Sequence, residues 1–224
     1  AFAHLRKRSE KAWGIANTWH TTIKDAYRWV LPERYTVAST GRDGQPNYSN
    51  LFDSTGQTAL TDFAAFVTEA LYPFDQEWFR FAPKDTLPNG AKDILRPMAD
   101  KFTLTVRQLI DESNFHSAIL AANKDLSLGT RFLRIDLDPY DETRIVFAAM
   151  LPTTFAIDED RHGVIAGVFM KIKIRGVELE RMFPGGEFSD QTRRQIEKDP
   201  ECEVEICEAV TRIDDGWQYC AWEA

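Results

Sequence analysis

Leu51-Phe52-Asp53-Ser54-Thr55-Gly56 stands between a stretch of turn residues and an apolar periodic run. Ser54 with Gln57 has the S-x-x-Q form of a capping box, in which the hydroxyl takes the third helical N–H and the amide side chain reaches back to the cap. This predicts a helix from Thr55 to about Leu71, with Ala59, Phe63, Phe66, Val67 and Ala70 as its apolar stripe and Pro73 beyond its end. Leu51 and Phe52 are expected to fold onto Leu60 and Phe63 as a hydrophobic staple. Such a cap contributes on the order of 1 kcal/mol, enough to place a boundary but not to define a fold.

Upstream, Ala12, Ala16, Trp19, Ile23, Tyr27 and Val30 recur at intervals of three and four between Leu5 and Leu31. They predict one face of a long helix, which Pro32 ends. Trp13, Trp19 and Trp29 all lie in this element. They are either core or a subunit interface, since burying so much aromatic area usually takes a neighbour. Residues 33–50, with Gly41-Arg42-Asp43-Gly44 and Pro46-Asn47, read as a loop or loose hairpin.

Downstream, the alternation in Trp78-Phe79-Arg80-Phe81 suits a strand. Two further helices are expected, one carrying Met98, Phe102, Val106, Leu109 and Ile110, the other Phe115, Ile119, Ala122 and Leu126. Gly129 is the expected C′ residue of the second. At Thr130 the texture changes to β-type runs: Thr130 to Asp138, Arg144 to Leu151, Thr153 to Asp158 and Val164 to Arg175. Turns at Asp138-Pro139-Tyr140-Asp141, Pro152 and Arg161-His162-Gly163 join them into an antiparallel meander. Short helices over Val177 to Phe183 and Gln191 to Lys198 flank Pro184-Gly185-Gly186, and a hairpin of Glu203 to Ile213 and Trp217 to Trp222 follows. The expected class is α+β, with a mainly helical region over 1–129 and an antiparallel β-rich region over 130–224.

The 224 residues carry 43% hydrophobic and 28% charged side chains, the composition of an ordinary globular protein with a real core. No apolar run approaches the ~20 residues of a bilayer span. Ala1 to Arg8 lack the apolar stretch of a secretory signal. With no initiator Met, and with Gln218 to Trp222 still reading as a strand, the chain reads as a fragment of a longer polypeptide. Cys202, Cys207 and Cys220 are odd in number and clustered, which suits reduced, packed thiols in a cytosolic setting. A net charge of −8 weighs against a protein that grips duplex DNA from outside.

No phosphate-cradling glycine loop, nucleophile elbow or H-E-x-x-H motif occurs. His4, His20, His116 and His162 are scattered. Asp158-Glu159-Asp160-Arg161-His162-Gly163 imitates the opening of a calcium loop, but Phe169 stands where a bidentate Glu is required, so it reads as a solvated hairpin turn. Glu201, Glu203, Glu205 and Glu208 read as the outer face of a strand. Arg6, Lys7, Arg8 and Lys11, and again Arg193, Arg194 and Lys198, read as solvated helix faces, the competing reading for either cluster being contact with nucleic acid. No catalytic, cofactor-binding or metal-binding residue is assigned, and no cofactor is expected.

The order of Ala12-Trp13, then Tyr27-Arg28-Trp29-Val30-Leu31-Pro32-Glu33-Arg34, then Asn50-Leu51-Phe52-Asp53-Ser54-Thr55-Gly56, then Glu77-Trp78-Phe79-Arg80-Phe81 resembles the amino-terminal half of the head-to-tail connector, or portal, proteins of short-tailed bacteriophages. That family has a long helix ending in a P-x-R turn, a [LF]-[FY]-D-S-T helix start, an aromatic W-F segment, a helix pair and a stretch like Leu126-Ser127-Leu128-Gly129-Thr130-Arg131-Phe132-Leu133. The resemblance implies a structural subunit of a ring of about twelve copies at one capsid vertex. DNA passes through the ring without sequence specificity, driven by a terminase, and capsid and tail proteins are partners. It implies a virion location, with host cytoplasm during assembly, no membrane and no enzymatic activity. On it, the chain holds mainly the outer wing and part of the stem support, and Trp13, Trp19 and Trp29 are candidate subunit-interface residues.

Two other readings compete. One is a cytosolic α+β enzyme with an acidic site at strand ends, built from Asp136, Asp138 and Asp158. The other is a different virion assembly or adaptor protein, which would share the aromatic interface.

Overall fold

The computed structural model describes residues 2–35, 53–138, 141 and 143–224. In chain order the elements are helix α1 (Phe2–Val30), helical residues 32–35, α2 (Thr55–Leu71), α3 (Asn89–Asp111), α4 (Phe115–Leu126), strands β1 (Phe132–Leu137) and β2 (Ile145–Met150), a 3-10 turn (Pro152–Thr154), β3 (Phe155–Glu159), β4 (Ile165–Arg175), α5 (Gly176–Met182), α6 (Asp190–Lys198), β5 (Glu203–Ile213) and β6 (Gly216–Glu223). Helices dominate the first half, every strand pairing is antiparallel, and the class is α+β as expected. Two compact units form, Ala1–Lys24 with Thr153–Ala224, and Asp25–Pro152. The change of texture at Thr130 therefore marks where strands begin, while β1 and β2 stay with the helices before them.

In the first unit, β3-β4-β5-β6 form one sheet in meander order. Their pairing sets Ala156 against Phe169 and Phe169 against Ala209, a row of small and large side chains on one face. The early turns of α1 bring Ala12 into this row, with Trp13, Ala16 and Trp222 packed around it. Small residues here let the helix lie close to the strands. The opposite face buries Ile174, Val204 and Ile206 beneath Leu179 of α5 and Ile196 of α6. Covered on both faces, β4 and β5 carry apolar residues with less alternation than a one-sided strand.

That two-sided cover corrects the expectation for the glutamates. Glu203 and Glu205 are exposed, but Glu208 is only 4% exposed and accepts a 2.7 Å hydrogen bond from the Tyr219 hydroxyl. Gly176 marks another close approach. A Cβ there would lie 2.8 Å from a side-chain carbon of Ile196 and 3.1 Å from the Pro200 carbonyl oxygen, while its N–H donates to the Cys202 carbonyl.

In the second unit, α2 lays Leu60 and Ala64 inward, and α4 contributes Phe115, Ala118, Ile119 and Ala122. The β1–β2 hairpin closes on α4 through Phe147, Leu133 and Ile145. Asn114 fixes that contact: its side-chain amide donates to the Phe147 carbonyl at 2.7 Å and its carbonyl accepts from the Phe147 N–H at 2.8 Å. The predicted meander is thus divided, with β1 and β2 in a sheet of their own.

Several local expectations change. Helix α2 does begin at Thr55, but the Ser54 side chain makes no cap bond. Asp53 Oδ1 instead accepts from the Thr55 N–H and hydroxyl at 2.8 and 2.6 Å, and these bonds hold the Asp53 carboxyl below its ordinary range. The stripe Ala59, Phe63, Phe66 and Ala70 faces solvent. This helix is apolar around most of its girth, so periodicity could not choose its inner face; the close approach to α4 selected the smaller Ala64.

In α1, Trp19 lies off the buried line of Leu5, Ser9, Ala12, His20 and Tyr27. Pro32 does follow the end of α1, and it also opens a new turn, with the Arg34 and Tyr35 N–H groups donating to the Leu31 carbonyl. That is the first-turn position a proline tolerates best. Residues 78–81 form no strand. Trp78 stacks on Phe115 with ring centres 5.7 Å apart, and the Phe81 N–H is satisfied by the Thr103 hydroxyl at 3.0 Å. The helix before Gly129 ends at Leu126 with Ser127 as its cap, so Gly129 sits one residue past C′. The Leu51–Phe52 staple, the turns in residues 36–50 and the Pro139-Tyr140 turn lie outside the described residues.

Candidate functional site

The three tryptophans of α1 have different surroundings. Trp13 is half-buried, edge-on to His20, with the Lys171 ammonium 5.2 Å from its ring centre, and its indole N–H has no hydrogen-bond partner among the described residues. Trp19 is 66% exposed and Trp29 54%, the latter beneath the Arg28 guanidinium at 5.4 Å. Exposed side chains of this size are costly in water and are enriched where proteins meet.

Two of the three acids proposed for an enzyme site, Asp158 and Asp136, are paired with arginines. Asp158 Oδ2 accepts from Arg8 Nε and Nη2 at 2.9 and 2.7 Å, tying α1 to the sheet of its own unit. Asp136 is paired with Arg134, and the Asp138 N–H donates to the Arg144 carbonyl. The loop that imitated a calcium site spends Asp160 on its own backbone: Oδ1 accepts from the N–H groups of His162 and Val164 at 2.7 and 3.0 Å, with Gly163 at a φ of 72°. Among the described residues, no group of three or more His, Cys, Asp or Glu is placed to hold a metal. Lys7, Lys11, Arg193, Arg194 and Lys198 are exposed on their helices.

Sequence reasoning missed a buried polar nucleus in the second unit. Asp125, fully buried on α4, accepts 2.8 Å from the Tyr27 hydroxyl, and the Arg34 guanidinium lies 3.5 Å from its other oxygen. Burial pushes the Asp125 carboxyl above its ordinary range, against the pull of Arg34 and Tyr27, and burial likewise pushes the Tyr27 phenol up. One residue pair away, Asn123 donates to the Thr68 hydroxyl at 2.8 Å and accepts from Arg131, which also donates to the Tyr72 hydroxyl. These groups lock helix ends together. Such a lock holds a surface rigid; it is not a set of groups converging on a reactant.

The cysteines are free, and Cys207 is buried beside Ser9, with its thiol pushed up by that burial. The remaining features are apolar surface. Besides the tryptophans, α2 presents Phe63 and Phe66, and α3 presents Ile94, Met98 and Phe102. The excess of apolar residues in α2 over what one face can bury is the signal that could have found the first of these.

Residues 3–222 match the family model described as bacteriophage head to tail connecting protein. The chain belongs to that family. A search of curated proteins finds no match. The match runs past the helical region through the β3–β6 sheet, so the family extends over both compact units. A head-to-tail connector is a structural component of the phage virion that assembles with head and tail proteins. No described helix of this connector is long and apolar enough to cross a membrane.

Proposed function

We propose that this connector is a subunit of a homo-oligomeric portal ring of about twelve copies at one capsid vertex, through which DNA is packaged and ejected. The observation that carries the reading is the exposure of Trp19 and Trp29, side chains too apolar to leave facing water in the assembled particle. With the half-buried Trp13, they are the candidate interface residues in this reading. The net charge of −8 supports it too, because a conduit must let phosphates slide rather than hold them. Capsid protein, the terminase motor and tail proteins are the partners. Assembly takes place in the host cytoplasm, before the finished ring resides in the virion.

Light scattering of the purified protein, with negative-stain images of the same peak, tests this. A closed ring with a central hole is the expected result. A monomer that persists at high concentration overturns the ring.

A further inference from the structure

We infer that successive copies of this chain join head to tail, with the outer stripe of α2 on one copy seated on the outer stripe of α3 on the next. The inference rests on the ring reading and adds to the α1 tryptophans a second pair of surfaces that would help close it.

On α2, Ala59, Phe63, Phe66 and Ala70 follow one another at helical spacing, and all four are exposed. Phe66 has 72% of its surface in solvent. On α3, Ile94, Met98 and Phe102 repeat at intervals of four and are 73%, 64% and 54% exposed. The stripes span about 16 and 12 Å at 1.5 Å per residue, so one can lie along the other. An alanine at each end of the α2 stripe lets a partner helix approach closely. A stable interface buries about 800 Å² on each partner, so the two stripes would form its apolar centre and the flanking charges its rim.

The charges choose the pairing. Helix α2 has acids at Asp62 and Glu69 and no basic residue. Both are exposed, and neither has an ion-pair partner among the described residues. On α3 the acids are already engaged, Asp93 by Arg96 at 3.8 Å and Asp100 by Arg80 at 2.9 Å. Lys101, exposed beside Phe102, has no such partner among the described residues. Packing α2 on α2 would set acid against acid, and α3 on α3 would offer Lys101 no acid that is not already engaged. Packing α2 on α3 sets acid against base. A contact between two different surfaces of one chain is heterologous, and it propagates until it closes on itself.

Full-length wild type, Phe66→Glu, Met98→Glu and an equimolar mixture of the two variants would be compared by analytical ultracentrifugation, with circular dichroism to check folding. Both substituted side chains are exposed, so each variant should fold. Each variant alone should associate about 30-fold more weakly than wild type, the loss expected for a central interface side chain. The mixture should give heterodimers and nothing larger, because one intact α2 stripe and one intact α3 stripe remain to pair. If wild type forms rings and both variants do so equally well, the α2–α3 contact is wrong while the ring stands. If the mixture stays monomeric while wild type forms rings, the two surfaces do not meet, and another phage protein covers them. If wild type never self-associates, the ring reading falls and this inference with it.

Discussion

The Tyr27 hydroxyl donates a 2.8 Å hydrogen bond to Oδ1 of Asp125 across 98 residues of sequence, and both side chains are fully buried. It fastens the last turn of α1 to α4 within one compact unit. Among the described residues, the other carboxylate oxygen has only the Arg34 guanidinium, at 3.5 Å, and no hydrogen bond. Removing the phenol leaves a buried carboxylate with one weak neighbour. Tyr27→Phe should therefore destabilise this unit by about 1–3 kcal/mol, read as a lowered midpoint in urea unfolding. An unchanged midpoint would mean that water replaces the hydroxyl at no cost.

The same carboxylate makes stability depend on pH. Its folded-state pKa is raised above the unfolded value of 3.8, chiefly by burial. The folded protein therefore holds this proton over a range in which the unfolded chain has released it, and stability falls as pH rises through that range. The contribution is fully present below 3.8 and lost as pH climbs through the raised value. Asp125→Asn removes the titration while keeping an acceptor for Tyr27. The melting temperature of wild type relative to Asp125→Asn should rise as pH falls from 7 towards 4. A pH-independent difference would show that the carboxyl titrates alike in both states.

Gly176 allows β4 to turn into α5 directly against α6. Gly176→Ala would bring a methyl group within 2.8 Å of Ile196, with the Pro200 backbone oxygen at 3.1 Å leaving little room to yield. The cost should be about 1–3 kcal/mol of stability in the sheet unit, as for other overpacked sites. Hydrogen exchange should show it as lost protection at the Gly176 amide, which donates to the Cys202 carbonyl, and at the Val177 amide, which donates to the Pro200 carbonyl, with the Tyr27–Asp125 region unaffected. Even protection loss throughout would argue that the two units unfold together.

Where one mechanism governs an element, its residues announce it. The six strands follow from β-type runs bounded by turns, and the helix start at Thr55 from polar residues before an apolar period. What escaped is whatever depends on the partner surface. Nothing local says that α2 turns Ala64 inward and Phe66 outward, because both lie on an apolar helix; packing against α4 decides it. Residues 78–81 alternate like a strand, yet their aromatic rings find Phe115 and Phe102 rather than a neighbouring strand. Asp125 sits between Lys124 and Leu126 with no sequence sign that Tyr27 will reach it. The surface glutamates were legible up to Glu205, and Glu208 failed because both faces of the sheet are covered.

The first compact unit is discontinuous in the chain, taking Ala1–Lys24 from the beginning and Thr153–Ala224 from the end. Ser9 meets Cys207 across 198 residues and Arg8 meets Asp158 across 150. At ribosomal speeds of about 5–20 residues per second, the strand that receives Ser9 emerges roughly 10 to 40 s after the helix does. The intervening unit, Asp25–Pro152, is contiguous and can finish first. During that interval Leu5, Ala12 and Trp13 have no sheet to cover them. The high contact order of this one junction leaves the apolar face of the opening helix uncovered until β5 has been made.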